Sequence, residues 1–231
     1  MPTTTTNYSF QKPIVGADED DWGGYLNANW DSIDSILGGT TSLTALDVNG
    51  TIKLDGNYPV GTNNVALGDT ALDSIASGGT RNTAIGFAAG TALTTQDYNV
   101  FVGSYSGDGA TGSSNVAVGD VTLRSASGSF NTAIGGEALT SNTTASNNTA
   151  VGYQAAYSNT TGYDNTAIGV SSLRANNTGH TNTAVGGAAL NANTTGQQNI
   201  ALGNAALLNS TTGSYNVALG RSALLSNTTA S

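Results

Sequence analysis

A five-residue pattern recurs ten times between Gly61 and Ser231: Asn, then Thr, Val or Ile, then Ala, an aliphatic and Gly. It begins at Asn64, Asn82, Asn99, Asn115, Asn131, Asn148, Asn165, Asn182, Asn199 and Asn216. The spacings are 18, 17, 16 and 16 residues, then 17 throughout. The fourth position is always aliphatic: Leu67, Ile85, Val102, Val118, Ile134, Val151, Ile168, Val185, Leu202 and Leu219. The fifth is always glycine: Gly68, Gly86, Gly103, Gly119, Gly135, Gly152, Gly169, Gly186, Gly203 and Gly220. The third is Ala in every copy but one, where Phe101 stands. Eight residues after the Asn a leucine follows in seven copies, with Gly90, Gly107 and Ala156 as the exceptions.

Strict periodicity at this length constrains the fold more than any composition does. Helix–turn–helix repeats need 33 residues or more, so a 17-residue period is too short for them. It suits one coil of a β-solenoid or β-roll, read here as two short strands and two turns. Within a segment such as Asn182–Gly186, strand alternation puts Thr and Val on one face and Asn, Ala and Gly on the other. The aliphatic face is expected to be the core stripe. The Ala/Gly face is expected to admit another backbone closely, that of a sister chain. Two large aliphatics per coil make a thin core, which is why oligomerisation enters the reading. Stacked Asn side chains are expected to form an amide ladder. Coils about 4.8 Å apart would make ten copies roughly 48 Å long. Polar turns such as Asn159–Gly162 close each coil, with Gly and Asn expected to supply positive φ.

Composition agrees with a repeat and excludes several function classes. Charged residues are 9% of the chain and glycine accounts for 31 of 231 positions, against roughly 25% and 7% in ordinary globular proteins. The net charge of −9 argues against nucleic acid, whose phosphates call for Lys and Arg. Without cysteine there is neither a disulfide framework nor a thiolate metal site. No apolar run approaches the 18 residues of a membrane span. Met1–Lys12 lacks the basic start and apolar stretch of a secretory signal.

The unit Asn182–Leu190 (NTAVGGAAL) resembles the head repeats of trimeric autotransporter adhesins, and it is similar to repeats of bacteriophage tail-fibre proteins. The resemblance covers Gly61–Ser231 and implies a trimeric, left-handed β-roll; handedness and the number three come from the resemblance. The repeat is longer than the autotransporter one, and signal and outer-membrane anchor are missing. These departures favour the phage relatives.

The segment before the repeats reads differently. Asp18–Asp21 precedes an expected helix at residues 22–37, where acidic side chains favour a helix start and Gly38-Gly39 its end. Leu26, Trp30, Ile33 and Leu37 are spaced 4, 3 and 4, as in a coiled-coil seam. In residues 43–54, Asn49-Gly50 lies between alternating apolar residues and predicts a hairpin. The expected organisation is residues 1–39 as an attachment segment, 40–60 as a β-hairpin linker and 61–231 as the repeat shaft. Residues 8–37 look like the start of several phage fibre proteins, which implies docking to the tail or an adaptor protein through the N-terminus. The next copy falls due near position 233, so the chain is expected to continue past Ser231 with host-receptor contact further out.

Chemistry-bearing residues are sparse. Asp18–Asp21 is read as helix capping rather than a Ca²⁺ site. His180 is the only histidine and has no partner in sequence for catalysis or zinc. Asp69, Asp73, Asp97, Asp108, Asp120, Glu137 and Asp164 keep no fixed repeat position, and no pair among them stands out for the two-carboxylate chemistry of glycosidases. Tyr98, Phe130, Tyr157, Tyr163 and Tyr215 are read as covers for coil edges, with sugar stacking as the alternative. The sequence thus predicts a non-enzymatic homotrimeric tail-fibre shaft without cofactor. It would be made in the host cytoplasm, carried on the virion, and neither inserted in a membrane nor bound to nucleic acid. The alternatives are an ice-binding or bacterial-adhesin solenoid and a polysaccharide-depolymerising tail spike.

Overall fold

The computed structural model describes residues 63–231 apart from Ser77, and two short strands near the N-terminus. It divides into two compact units, residues 1–53 and 54–231. In the first, β1 (Thr3–Thr4) pairs antiparallel with β2 (Gln11–Lys12). The expected helix with its seam Leu26, Trp30, Ile33 and Leu37, and the expected hairpin, lie outside the described residues.

The second unit is a parallel β-solenoid. Its strands are β3 (Val65–Leu67), β4 (Thr83–Ile85), β5 (Val100–Val102), β6 (Val116–Val118), β7 (Thr132–Ile134), β8 (Thr149–Val151), β9 (Thr166–Ile168), β10 (Thr183–Val185), β11 (Ile200–Leu202) and β12 (Val217–Leu219). They form one sheet in strict sequence order. Each residue pairs with its counterpart one repeat away, as Thr183 with Ile200 and Val185 with Leu202. Each of β3 to β12 coincides with one copy of the motif, whose β-branched residues suit a pleated surface. No helix occurs among the described residues.

Each coil carries one strand, not the expected two. The remainder is a chain of turns that also stacks on the next coil through backbone hydrogen bonds. Gly86 N–H donates to Leu67 O at 2.7 Å, Ala88 N–H to Asp69 O at 3.0 Å, and Leu190 N–H to Ala206 O at 3.0 Å. These turns run through the left-handed region at three positions per coil. In one coil they are Thr181, Ala188 and Leu190, at φ 58°, 56° and 50°. Such φ values are uncommon outside glycine, and regular inter-coil bonding holds them. The turn glycines therefore serve another purpose than the expected one. Gly179 is not at positive φ; a Cβ there would overlap the Gly196 carbonyl oxygen of the next coil.

The core reverses one expectation. Alternation divides the strand into two faces as read from sequence, but the inner face is the small-residue one. Ala84, Ala117, Ala133, Ala150, Ala167, Ala184 and Ala201 are fully buried, as are Leu123, Leu139, Leu173, Leu190 and Leu207. The fourth-position aliphatics point outward. Leu67 is 45% exposed, Ile134 40% and Leu219 66%, and Ile85, Ile168 and Leu202 are similar, while Val102, Val118, Val151 and Val185 are half-buried. The physical reason is volume. A 17-residue coil encloses a narrow interior that Ala, one Leu and a hydrogen-bonded Asn already fill, so the branched side chains must face out. The close backbone approach at the fifth position is likewise made within one chain: a Cβ on Gly169 (φ 131°) would lie 2.6 Å from the Gly186 carbonyl.

Candidate binding surfaces

The repeat Asn is the structural hinge of each coil. Its Oδ1 accepts the backbone N–H of the next Asn, at 2.8 Å from Asn82 to Asn64 and 3.0 Å from Asn199 to Asn182. Its Nδ2 donates to a turn carbonyl, as Asn182 to Gly196 O and Asn199 to Gly213 O at 2.9 and 2.8 Å. All but Asn216 are buried. The amide ladder expected from stacking is present, and it runs inside the coil where each unpaired group would be costly. A second buried ladder was not read from the sequence. Asn176 Nδ2 donates to Asn159 Oδ1 at 2.7 Å and Asn193 Nδ2 to Asn176 Oδ1 at 2.8 Å. Its signal is an Asn eleven residues after the first, in the turn before Gly162, Gly179 and Gly196. In the earlier coils Ile75, Leu93, Ala110 and Ala126 take that place, all buried.

Ionisable residues serve the scaffold. Asp97 accepts from the Thr80 N–H at 2.7 Å and its hydroxyl at 2.8 Å. Asp108 accepts from the Thr91 hydroxyl and pairs with Arg124 at 3.4 Å. Gln154 donates to Glu137 at 2.7 Å and accepts from Arg174 at 2.9 Å. No group of three or more His, Cys, Asp or Glu able to hold a metal occurs among the described residues. His180 stacks on Tyr163, with ring centroids 4.6 Å apart and planes within 4°. No helix among the described residues is long and apolar enough to cross a membrane.

Two surfaces stand out instead. One is the outer face of the sheet, where the fourth-position aliphatics line up beside a rank that includes Thr132, Thr149, Thr166 and Thr183 in register. The other is the corner just before the strands, which carries Arg81, Tyr98, Phe130 and Tyr215. Comparison with protein-family models, with curated proteins and with solved structures finds no match for this chain.

Proposed function

We propose that this chain is a non-enzymatic shaft protein of a bacteriophage tail fibre. Three copies pack through the outer sheet face, the N-terminal segment docks to the tail and the distal end meets the host. The observation that carries the reading is the unbroken outward stripe of ten aliphatic side chains. Six of its members are between 37% and 66% exposed and the four valines are half-buried, along a strip of ten coils roughly 48 Å long. A contiguous apolar strip of that size is unusual on a monomer, and a regular rod offers identical rods a matching surface. The repeat's likeness to adhesin heads and fibre proteins supplies the number three and the viral setting. Light scattering of the purified chain tests the assembly: a mass three times the 23.0 kDa protomer supports it, and a stable monomer at micromolar concentration rejects it. Electron microscopy of particles labelled on this chain tests the location.

One observation favours a second reading. Thr132, Thr149, Thr166 and Thr183 form four consecutive outward threonines in register on the sheet, a regular array of hydroxyls suited to ordering water. Thermal hysteresis in a freezing assay would establish an ice-binding solenoid, and its absence would dismiss one.

A further inference from the structure

The second buried ladder changes residue once along its run. Asn142, Asn159, Asn176 and Asn193 hold the same place on successive coils, Ser210 follows them, and Asn227 comes next. Asn142, Asn159, Asn176, Asn193 and Ser210 are fully buried. A rung Asn uses its amide in a fixed way. Asn193 Nδ2 donates to Asn176 Oδ1 on the coil before at 2.8 Å, and to Gly196 O of its own turn at 3.0 Å. Asn176 Nδ2 does the same with Asn159 Oδ1 at 2.7 Å and Gly179 O at 2.8 Å. Each of these turn carbonyls thereby holds two donors, because the repeat Asn also reaches it. Asn182 Nδ2 donates to Gly196 O and Asn165 Nδ2 to Gly179 O, both at 2.9 Å.

Ser210 brings no amide, and both acceptors that an Asn in its place would serve are left short. Asn193 Oδ1 has no partner. Among the described residues Gly213 O accepts only from Asn199 Nδ2, at 2.8 Å. Ser210 Oγ is itself without a partner. Three buried oxygens thus converge on one place with bonding capacity unused, which is costly unless something fills it. The place is also roomier than its equivalents. Serine ends in a hydroxyl on Cβ where asparagine adds a whole carboxamide. A Cβ on Gly162, Gly179 or Gly196 would stand 2.5, 2.4 or 2.4 Å from the Oδ1 of its rung, whereas one on Gly213 would stand 3.1 Å from Ser210 Oγ.

We infer that a single water molecule is built into the ladder here and stands in for the missing Nδ2. It donates one proton to Asn193 Oδ1 and the other to Gly213 O, and it accepts from the Ser210 hydroxyl, which rotates to suit. That gives it the roughly three hydrogen bonds typical of buried water. All three partners are uncharged, so the site suits water and not a buried ion. Asn142 Oδ1, the third buried side-chain oxygen without a partner among the described residues, has no such site beside it. There the next coil supplies a full Asn159, whose Nδ2 donates to Gly162 O at 2.7 Å. The water belongs to the ladder whatever the solenoid serves.

A crystal structure of the full chain, at a resolution that shows ordered solvent, is the first test. It should place a water within about 3.2 Å of Asn193 Oδ1, Gly213 O and Ser210 Oγ. Ser210→Asn supplies the amide and should expel that water, with the new side chain bonding both acceptors directly. Oxygen-17 magnetic relaxation dispersion reads the same event in solution, where Ser210→Asn should lose the amplitude of about one long-lived internal water. Circular dichroism verifies that the variant keeps the solenoid; if it does not, the crystal of the unaltered chain decides alone. The inference is overturned if that crystal holds no water bonded to these three atoms. It also fails if a folded Ser210→Asn protein keeps the full dispersion amplitude.

Discussion

The ring of Phe101 occupies the space over Gly107 that a leucine fills in most other coils. A Cβ on Gly107 would come within 2.5 Å of two Phe101 ring carbons, and Phe101 is fully buried. The only copy with a large third residue thus directly precedes, within its own coil, a glycine in the leucine place. Gly90 on the preceding coil yields to the same ring, its Cβ position lying 2.9 Å from Phe101.

Restoring the common pattern should therefore compensate. Phe101→Ala alone leaves a cavity and is expected to cost about 3–5 kcal/mol. Gly107→Leu alone should clash with the ring and also destabilise. The double variant gives this coil the Ala and Leu of most other coils, and Gly107 already has a φ of 60°, close to the 49–54° of those leucines. Urea unfolding of all four proteins should yield a coupling energy of roughly 2 kcal/mol or more; additive losses would reject the compensation.

The second ladder has a gap that can be closed. Asn193 Oδ1 and Ser210 Oγ are buried without hydrogen-bond partners, because Ser210 stands where its neighbours carry Asn. Ser210→Asn should connect Asn193 to the coil that follows and stabilise the protein by about 1 kcal/mol. Asn176→Ala, which removes a middle rung, should cost about 1–3 kcal/mol. Thermal melts compare the two, and a drop in Tm for Ser210→Asn would count against the ladder.

Backbone conformation offers another route to stability. Thr181 is exposed, β-branched and held at φ 58°, and in the same row Asn63 and Asn147 take φ 63° and 61°. Asn tolerates the left-handed region better than Thr. Thr181→Asn is expected to gain about 0.5–1 kcal/mol in chemical denaturation.

The two faces of a strand should respond oppositely to charge. Ala150→Asp buries an unpaired carboxylate and should unfold the solenoid at ordinary temperature. Ile134→Glu with Ile168→Glu should leave the circular dichroism spectrum intact, since both side chains already meet water. If the outer stripe joins copies, the same pair of substitutions converts the trimer to monomers in light scattering.

The period made the solenoid legible: Asn, Ala and Gly recur because each is used in the same place on each coil. Alternation separated the two faces of the strand, yet could not say which was inside. Hydrophobicity pointed to the Val/Ile/Leu side, whereas the deciding quantity was the volume a narrow coil encloses, which no single position reports. The three left-handed positions per coil escaped notice because most of them hold residues such as Leu190, Ala188 and Thr181, which carry no such signal. Phe101, Gly90 and Gly107 each read as irregularities in sequence and as one packed group in space. The Asn of the turn was legible as a turn residue but not as a buried rung.

Since every rung Asn bonds only within its own coil and to the coils directly beside it, a coil acts as a unit of measure. Excising one full period, such as residues 165–181, would bring Asn148 against Asn182 in the same register and shorten the shaft by a single sheet spacing of about 4.8 Å. Reach along such a molecule comes in discrete steps, and a gene could lengthen or trim it by whole periods without redesigning any contact.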